Sequence, residues 1–265
     1  MQPWRIRVQK KVKRQVLQLI SPVYRPGARQ KVILFHGGRS GSSVLSGMLT
    51  QHPEIYWAGE VLAEHFRPPQ AHQPAFDYRR YLARLEFSTI RPYFGIEIKP
   101  VDLLQLGIRK QDFLTDVGDD GYTTYIVLER KNQLRKIVSI QAAKQSGIFH
   151  VSAKMDAPVH KLALDVTDLA ELLQRNIREM DELKDLLQDM RVLYLTYEED
   201  ILPGPATAYQ RTCAFLGIRS VTAEPRLRRI AVQPLSQILT NYSEVAASLV
   251  DTPYAWMLDR EYPAS

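Results

Sequence analysis

Val32-Ile33-Leu34-Phe35 is an unbroken apolar run, the pattern of a parallel strand covered on both faces. After it, Gly37, Gly38 and Gly41 punctuate the chain, and Val44, Leu45, Met48 and Leu49 recur at the spacing of one helix face. The order strand, glycine-rich loop, helix is P-loop-like: it presents backbone N–H groups to an anion. Further strands are predicted at Glu54–Ala58, Gly95–Lys99, Tyr125–Leu128 and Val192–Thr196. Helical periodicity covers Tyr78–Phe87, Leu134–Gln145, Asp168–Leu187 and Ala206–Leu216, the last closed by Gly217. Asp168 and Glu171 have the spacing of a cap and its N3 partner. Strands alternating with helices predict a single α/β domain, a central, mostly parallel sheet flanked by helices, over residues 31–265.

Residues 1–30 read differently. Arg5, Arg7, Lys10, Lys11, Lys13 and Arg14 are interleaved with Ile6, Val8, Val12, Val16, Leu19 and Ile20 before Pro22 and Pro26-Gly27 break the pattern. This is a basic N-terminal arm, which either packs its apolar side on the domain or makes a peripheral membrane contact. The charge of the whole chain is +6, but residues 1–53 carry ten Lys or Arg and no acid, while the remainder holds 25 basic against 29 acidic residues. The positive charge is therefore local, and points to a polyanion near the N-terminal third.

Composition narrows the class. Hydrophobic residues at 45% and charged residues at 24% exclude disordered and collagen-like chains. The lone Cys213 supplies neither an internal disulfide nor a cysteine zinc site, which favours a reducing compartment. There is no apolar run of roughly 18 residues and no secretory-signal pattern. A cytoplasmic protein, in places peripheral to a membrane, is the expectation. Neither an RNA-binding aromatic signature nor a helix-turn-helix pattern is present, so nucleic acid is not an expected partner. Pro68, Pro69 and Pro74 mark a surface loop.

The chemistry concentrates in Phe35-His36-Gly37-Gly38-Arg39-Ser40-Gly41-Ser42-Ser43. A Walker loop requires G-x-x-x-x-G-K-[ST]. This segment has neither that glycine spacing nor the lysine, which disfavours a Mg²⁺-nucleotide kinase or GTPase. The Rossmann fingerprint is also missing. What stands there is an oxyanion clamp with its own cation and no metal: Arg39 offers a planar fork, Ser40, Ser42 and Ser43 offer hydroxyls, and Gly41 permits close backbone approach. The plainer alternative is a serine-capped helix start with an incidental arginine.

Arg39-Ser40-Gly41-Ser42-Ser43, then Leu45 and Leu49, His52-Pro53 and Gly59-Glu60 closely resemble the sulfotransferases that use 3′-phosphoadenosine 5′-phosphosulfate (PAPS). The likeness is to the branch whose loop begins with arginine, which includes bacterial carbohydrate and lipid sulfotransferases and the tyrosylprotein sulfotransferases. Leu128-Glu129-Arg130-Lys131-Asn132 with Ser139 is similar to that family's 3′-phosphate site, which implies that Arg130 and Ser139 grip this phosphate. Tyr194-Leu195-Thr196-Tyr197-Glu198-Glu199 resembles a strand-end segment that brings Tyr197 near the nucleotide. Arg226, Arg228 and Arg229 fall where many relatives carry a cofactor-covering loop; a solvated basic face is the alternative. Gln233-Pro234-Leu235-Ser236, Asn241-Tyr242 and Glu244 also look like bacterial members.

The resemblance implies transfer of a sulfuryl group from PAPS to an acceptor hydroxyl on a carbohydrate, a glycolipid or another alcohol. It implies a single α/β domain, Arg39 neutralising charge as the phosphate departs, and Glu60 as the general base, with no metal. Glu60 as a structural partner of Arg39, or as a solvated strand-end carboxylate, is the rival reading. Of the histidines, His52 before a proline reads as structural, and His36 beside the loop is the second choice for the base. His65, His72, His150 and His160 carry no such signal. Two other classes remain open: an atypical P-loop nucleotide kinase, and a non-catalytic anion- or membrane-surface-binding protein.

Overall fold

A computed structural model of the chain describes residues 29–63, 76–147, 151–152, 161–228 and 233–258. The apolar runs become strands β1 (Gln30–His36), β2 (Ile55–Glu60), β3 (Tyr93–Ile98), β4 (Tyr122–Glu129) and, later, β6 (Arg191–Thr196). They form one sheet in the order β2-β3-β1-β4-β6 with every neighbouring pair parallel. β1 is inner on both sides: Phe35 pairs with Ile98 of β3 and with Val127 of β4.

Alternation sends successive side chains to opposite faces, and both faces are covered. Ile33, Phe35, Phe94, Ile96, Tyr125 and Val127 pack against α2 (Tyr78–Glu86), α4 (Lys110–Asp119) and α6 (Leu169–Leu186). Val32, Leu34, Ile126, Leu128 and Leu195 pack against α1 (Ser42–Leu49) and α7 (Ala206–Leu216). Each large apolar side chain buried in these layers is worth roughly 1.5–3 kcal/mol. α5 (Gln133–Ser146), α8 (Leu235–Ile238) and α9 (Tyr242–Leu249) share a third cluster with the start of α6. α3 (Pro100–Gln105) follows β3 directly, and β5 (Val151–Ser152) pairs with β7 (Leu227–Arg228) antiparallel.

The chain leaves β1 toward β2 on one side of the sheet, whereas β4 and β6 lie on the other. The loops after β1 and β4 therefore diverge, which opens a crevice at the carboxyl ends of these strands, the usual ligand position in open α/β sheets.

Several expectations are corrected. Asp168 occupies the N-cap position of α6 but makes no side-chain cap bond: its φ of −124° and ψ of 30° depart from the extended conformation that aims a cap at the helix N–H groups. β2 runs on to Glu60 instead of ending at Ala58, and α3 and α4 form where no helix was predicted. The arm reads as residues 1–30, yet Gln30 already opens β1; residues 1–28, the proline-marked loop over 67–74, and His65, His72, His150 and His160 lie outside the described residues. Among the described residues no helix is long and apolar enough to cross a membrane.

Candidate active site

The glycine loop leaves β1 through two consecutive left-handed residues, Gly38 (φ 74°) and Arg39 (φ 53°). Arg39 is the only non-glycine residue with positive φ among the described residues, and such backbone strain concentrates where a ligand is clamped. Gly41, at φ 87°, is the N-cap of α1 and offers no side chain to the helix. The serine-capped start is thereby corrected: the cap is Gly41, and Ser42 and Ser43 lie inside the helix. The leading N–H groups of α1 have no intrahelical acceptor, its first turn holds no acid, and both facts suit an anion. Ser40 is 1% exposed, and its hydroxyl oxygen is buried with no hydrogen-bond partner.

Arg39 spans the crevice. Its Nε donates to Ser139 Oγ at 2.9 Å, joining residues 100 positions apart. Burial, then the charge of Arg130, pushes the Arg39 guanidinium below its ordinary pKa, with Tyr197 acting in the opposite sense. Arg130 is buried just past β4, its guanidinium carbon 4.3 Å from the ring centroid of buried Tyr197. Arg39, Arg130, Ser139 and Tyr197 thus gather at one place. Ser139 contacts the loop arginine directly, a link that spacing along the chain does not reveal.

Tyr197 opens a π-helical turn, Tyr197–Ile201, whose next residue sequence reasoning left without a role. The fully buried Glu198 accepts from the backbone N–H of Lys131 (3.0 Å) and of Asn132 (2.9 Å). Burial pushes its carboxyl pKa up, against the pull of these N–H groups and of Arg130. Glu198 therefore fixes the turn that carries Arg130, while Asn132 Oδ1 caps α5 by accepting from Arg135 N.

A second cluster stands on the β2–β3 side. β2 carries a bulge between Trp57 and Glu60, with Gly59 at φ 80°; the extra residue re-aims the strand end. Glu60 is exposed and accepts from Lys99 Nζ at 2.6 Å. Glu97 is buried and accepts from Trp57 Nε1 at 2.9 Å. His36, fully buried, has Nε2 3.4 Å from Glu97 and 3.8 Å from Glu60. Its Nδ1 accepts from Gly38 N–H at 3.2 Å, so the neutral ring carries its proton on Nε2, facing the carboxylates. His36 consequently couples the glycine loop to the Glu60 cluster, and buried in this way it is not placed to meet an acceptor as a base.

His36, Glu60 and Glu97 bring three ligand-type atoms within 4.8 Å of one another. A cation there would need the Nε2 lone pair, whereas the Gly38 bond puts a proton on that nitrogen, and Lys99 already holds one Glu60 oxygen. Among the described residues Nε2 makes no hydrogen bond, so the three groups meet as a cluster of charge and not as a relay. His52 is structural: Nδ1 accepts from Glu54 N–H, and Nε2 lies 3.0 Å from Arg219 O.

The expected covering loop is described in part. Arg228 pairs through its backbone with Val151, and Arg229 lies outside the described residues. Asn241 has a structural role instead, accepting from Leu164 N–H and donating to Leu164 O.

No family model matches the chain, and no curated protein matches it. Among solved structures, that of a sulfotransferase from Alicyclobacillus acidocaldarius covers 89% of this chain and 95% of its own, with a TM-score of 0.51 and 16% identity. At that identity the likeness is one of fold: the single α/β domain with its five-stranded parallel sheet.

Proposed function

We propose that the protein is a PAPS-dependent sulfotransferase acting on an acceptor hydroxyl of a carbohydrate, a glycolipid or another alcohol. The observation that carries this reading is the bond from Arg39 Nε to Ser139 Oγ. It ties the loop, whose helix end has no side-chain cap and whose orphaned Ser40 hydroxyl suits the phosphosulfate, to Ser139, within the field of Arg130, whose charge suits a 3′-phosphate. PAPS brings an activated sulfuryl group on a phosphosulfate anhydride.

The chain's own residues supply positioning and charge. Ser40, Gly41, Ser42 and Ser43 direct hydroxyl and backbone donors at the anion, and Arg39 balances the negative charge that builds as the sulfuryl group moves. Arg130 and Ser139 hold the 3′-phosphate, and Tyr197 supports Arg130 from below. Glu60 takes the acceptor's proton. Lys99 holds one Glu60 oxygen, and Gly59 sets its direction through the bulge. Arg228 and Arg229 add positive charge for the nucleotide. Preorganised donors of this kind act without a metal ion.

The test is transfer from ³⁵S-labelled PAPS into a host metabolite extract, with EDTA present, followed by identification of the labelled product. Label transfer is expected, and Glu60→Gln should lower turnover by about 10²–10⁴-fold while leaving binding of the desulfated nucleotide nearly unchanged. Near-wild-type turnover of Glu60→Gln on an aliphatic alcohol would reject Glu60 as the base.

A further inference from the structure

Lys136 stands on α5, one turn before Ser139. It is 7% exposed. Among the described residues its ammonium meets no hydrogen-bond acceptor and no carboxylate at ion-pair distance. Glu179 on α6 is the acid whose field reaches it.

Its position is tied to the loop. A Cβ built on Gly37 would lie 2.8 Å from Lys136 Nζ and 3.9 Å from Met180 Sδ. The ammonium is thus packed against the first glycine of the loop, beside a thioether that offers it little. An isolated buried ammonium is strongly unfavourable. A protein that keeps one beside an anion cradle gains from it when the anion arrives. The Ser40 hydroxyl in the same loop is a second buried polar group with no partner. Both groups lack an acceptor, and both border the same loop.

We propose that Lys136 is a third donor-binding cation, alongside Arg39 and Arg130, and that its counter-ion is the anionic group of the bound nucleotide. This rests on the sulfotransferase reading of the site, and extends it to a residue that neither the loop pattern nor the Arg130 block contains. A purely structural lysine would behave differently: removing it would loosen the packing around Gly37 and lower stability.

The experiment is K136M, which keeps the length of the stem and deletes the charge. Two quantities are measured: the thermal midpoint without ligand, and the affinity for 3′-phosphoadenosine 5′-phosphate by calorimetry. The midpoint should stay level or rise, because an uncompensated buried charge is gone. Affinity should fall by roughly 10–150-fold, the range of a lost charge-assisted hydrogen bond. Unchanged affinity, or a ligand-free variant less stable than wild type, overturns the inference. If wild type itself does not bind this nucleotide, the sulfotransferase reading fails and takes the Lys136 assignment with it.

Discussion

Asp102, on the first turn of α3, is buried, with Oδ1 3.7 Å from Lys99 Nζ and Oδ2 without a hydrogen-bond partner. Burial raises its pKa to about 6, with Glu60 adding to the rise while Lys99 and His36 oppose it. A carboxyl whose folded pKa lies above its unfolded value binds its proton more tightly when folded, so the associated stability is present at low pH and lost as pH rises through about 6. Asp102→Asn, which cannot ionise, should be more stable than wild type by roughly 2–3 kcal/mol at neutral pH, with the gap closing below about pH 4. Denaturant melts at both pH values check this, and parallel curves for the two proteins would refute it. Little at this scale was legible in the sequence. Arg39 and Arg130 stood out because each sits in a patterned block. Lys99, Glu198 and Lys136 did not, since each is a single charged residue whose role comes from a neighbour 39, 67 or 99 positions away.

The elements were more legible, because periodicity reports burial. The strands at Val32–Phe35 and Tyr125–Leu128 appear where their apolar runs lie, and α7 ends at Gly217 in the left-handed conformation its glycine permits. α4 has its signal in Phe113, Leu114 and Val117, all buried, but it is short and holds Gly118, a weak helix former. The π-helical turn carries no periodic pattern, being a single turn set by Thr196, whose hydroxyl accepts from Glu199 N–H. That turn also fixes the loop. A Cβ on Gly41 would lie 2.7 Å from Ile201 Cγ2, at a φ of 87°. Gly41→Ala should therefore cost roughly 2–4 kcal/mol, combining backbone strain with overpacking. Ile201→Ala removes both γ carbons that this Cβ would meet, so the double variant should lose less than the sum of the two single losses. Additive effects of the two substitutions on thermal stability would contradict the contact.

For the molecule as a whole, the arrangement of charge is the organising fact. The acid-free first 53 residues contain β1, the glycine loop and all of α1, which sets Arg39 at the end of an inner strand of the sheet. Its parallel order places Arg39 and Arg130 at adjacent strand ends, with Glu60 and Lys99 at the ends of β2 and β3. The alternation of strands and helices made this class of fold readable, whereas the crevice itself required the strand order, which no local pattern encodes. The central claim is that this crevice reads a 3′-phosphorylated adenosine nucleotide without metal. Calorimetric titration with 3′-phosphoadenosine 5′-phosphate, adenosine 5′-phosphate and ATP, in the presence of EDTA, tests it most directly. The 3′-phosphorylated nucleotide should bind more tightly than adenosine 5′-phosphate by roughly 10–150-fold, and Arg130→Ala should erase most of that preference. Binding that requires Mg²⁺, tighter binding of ATP, or a preference that survives in Arg130→Ala would contradict the account.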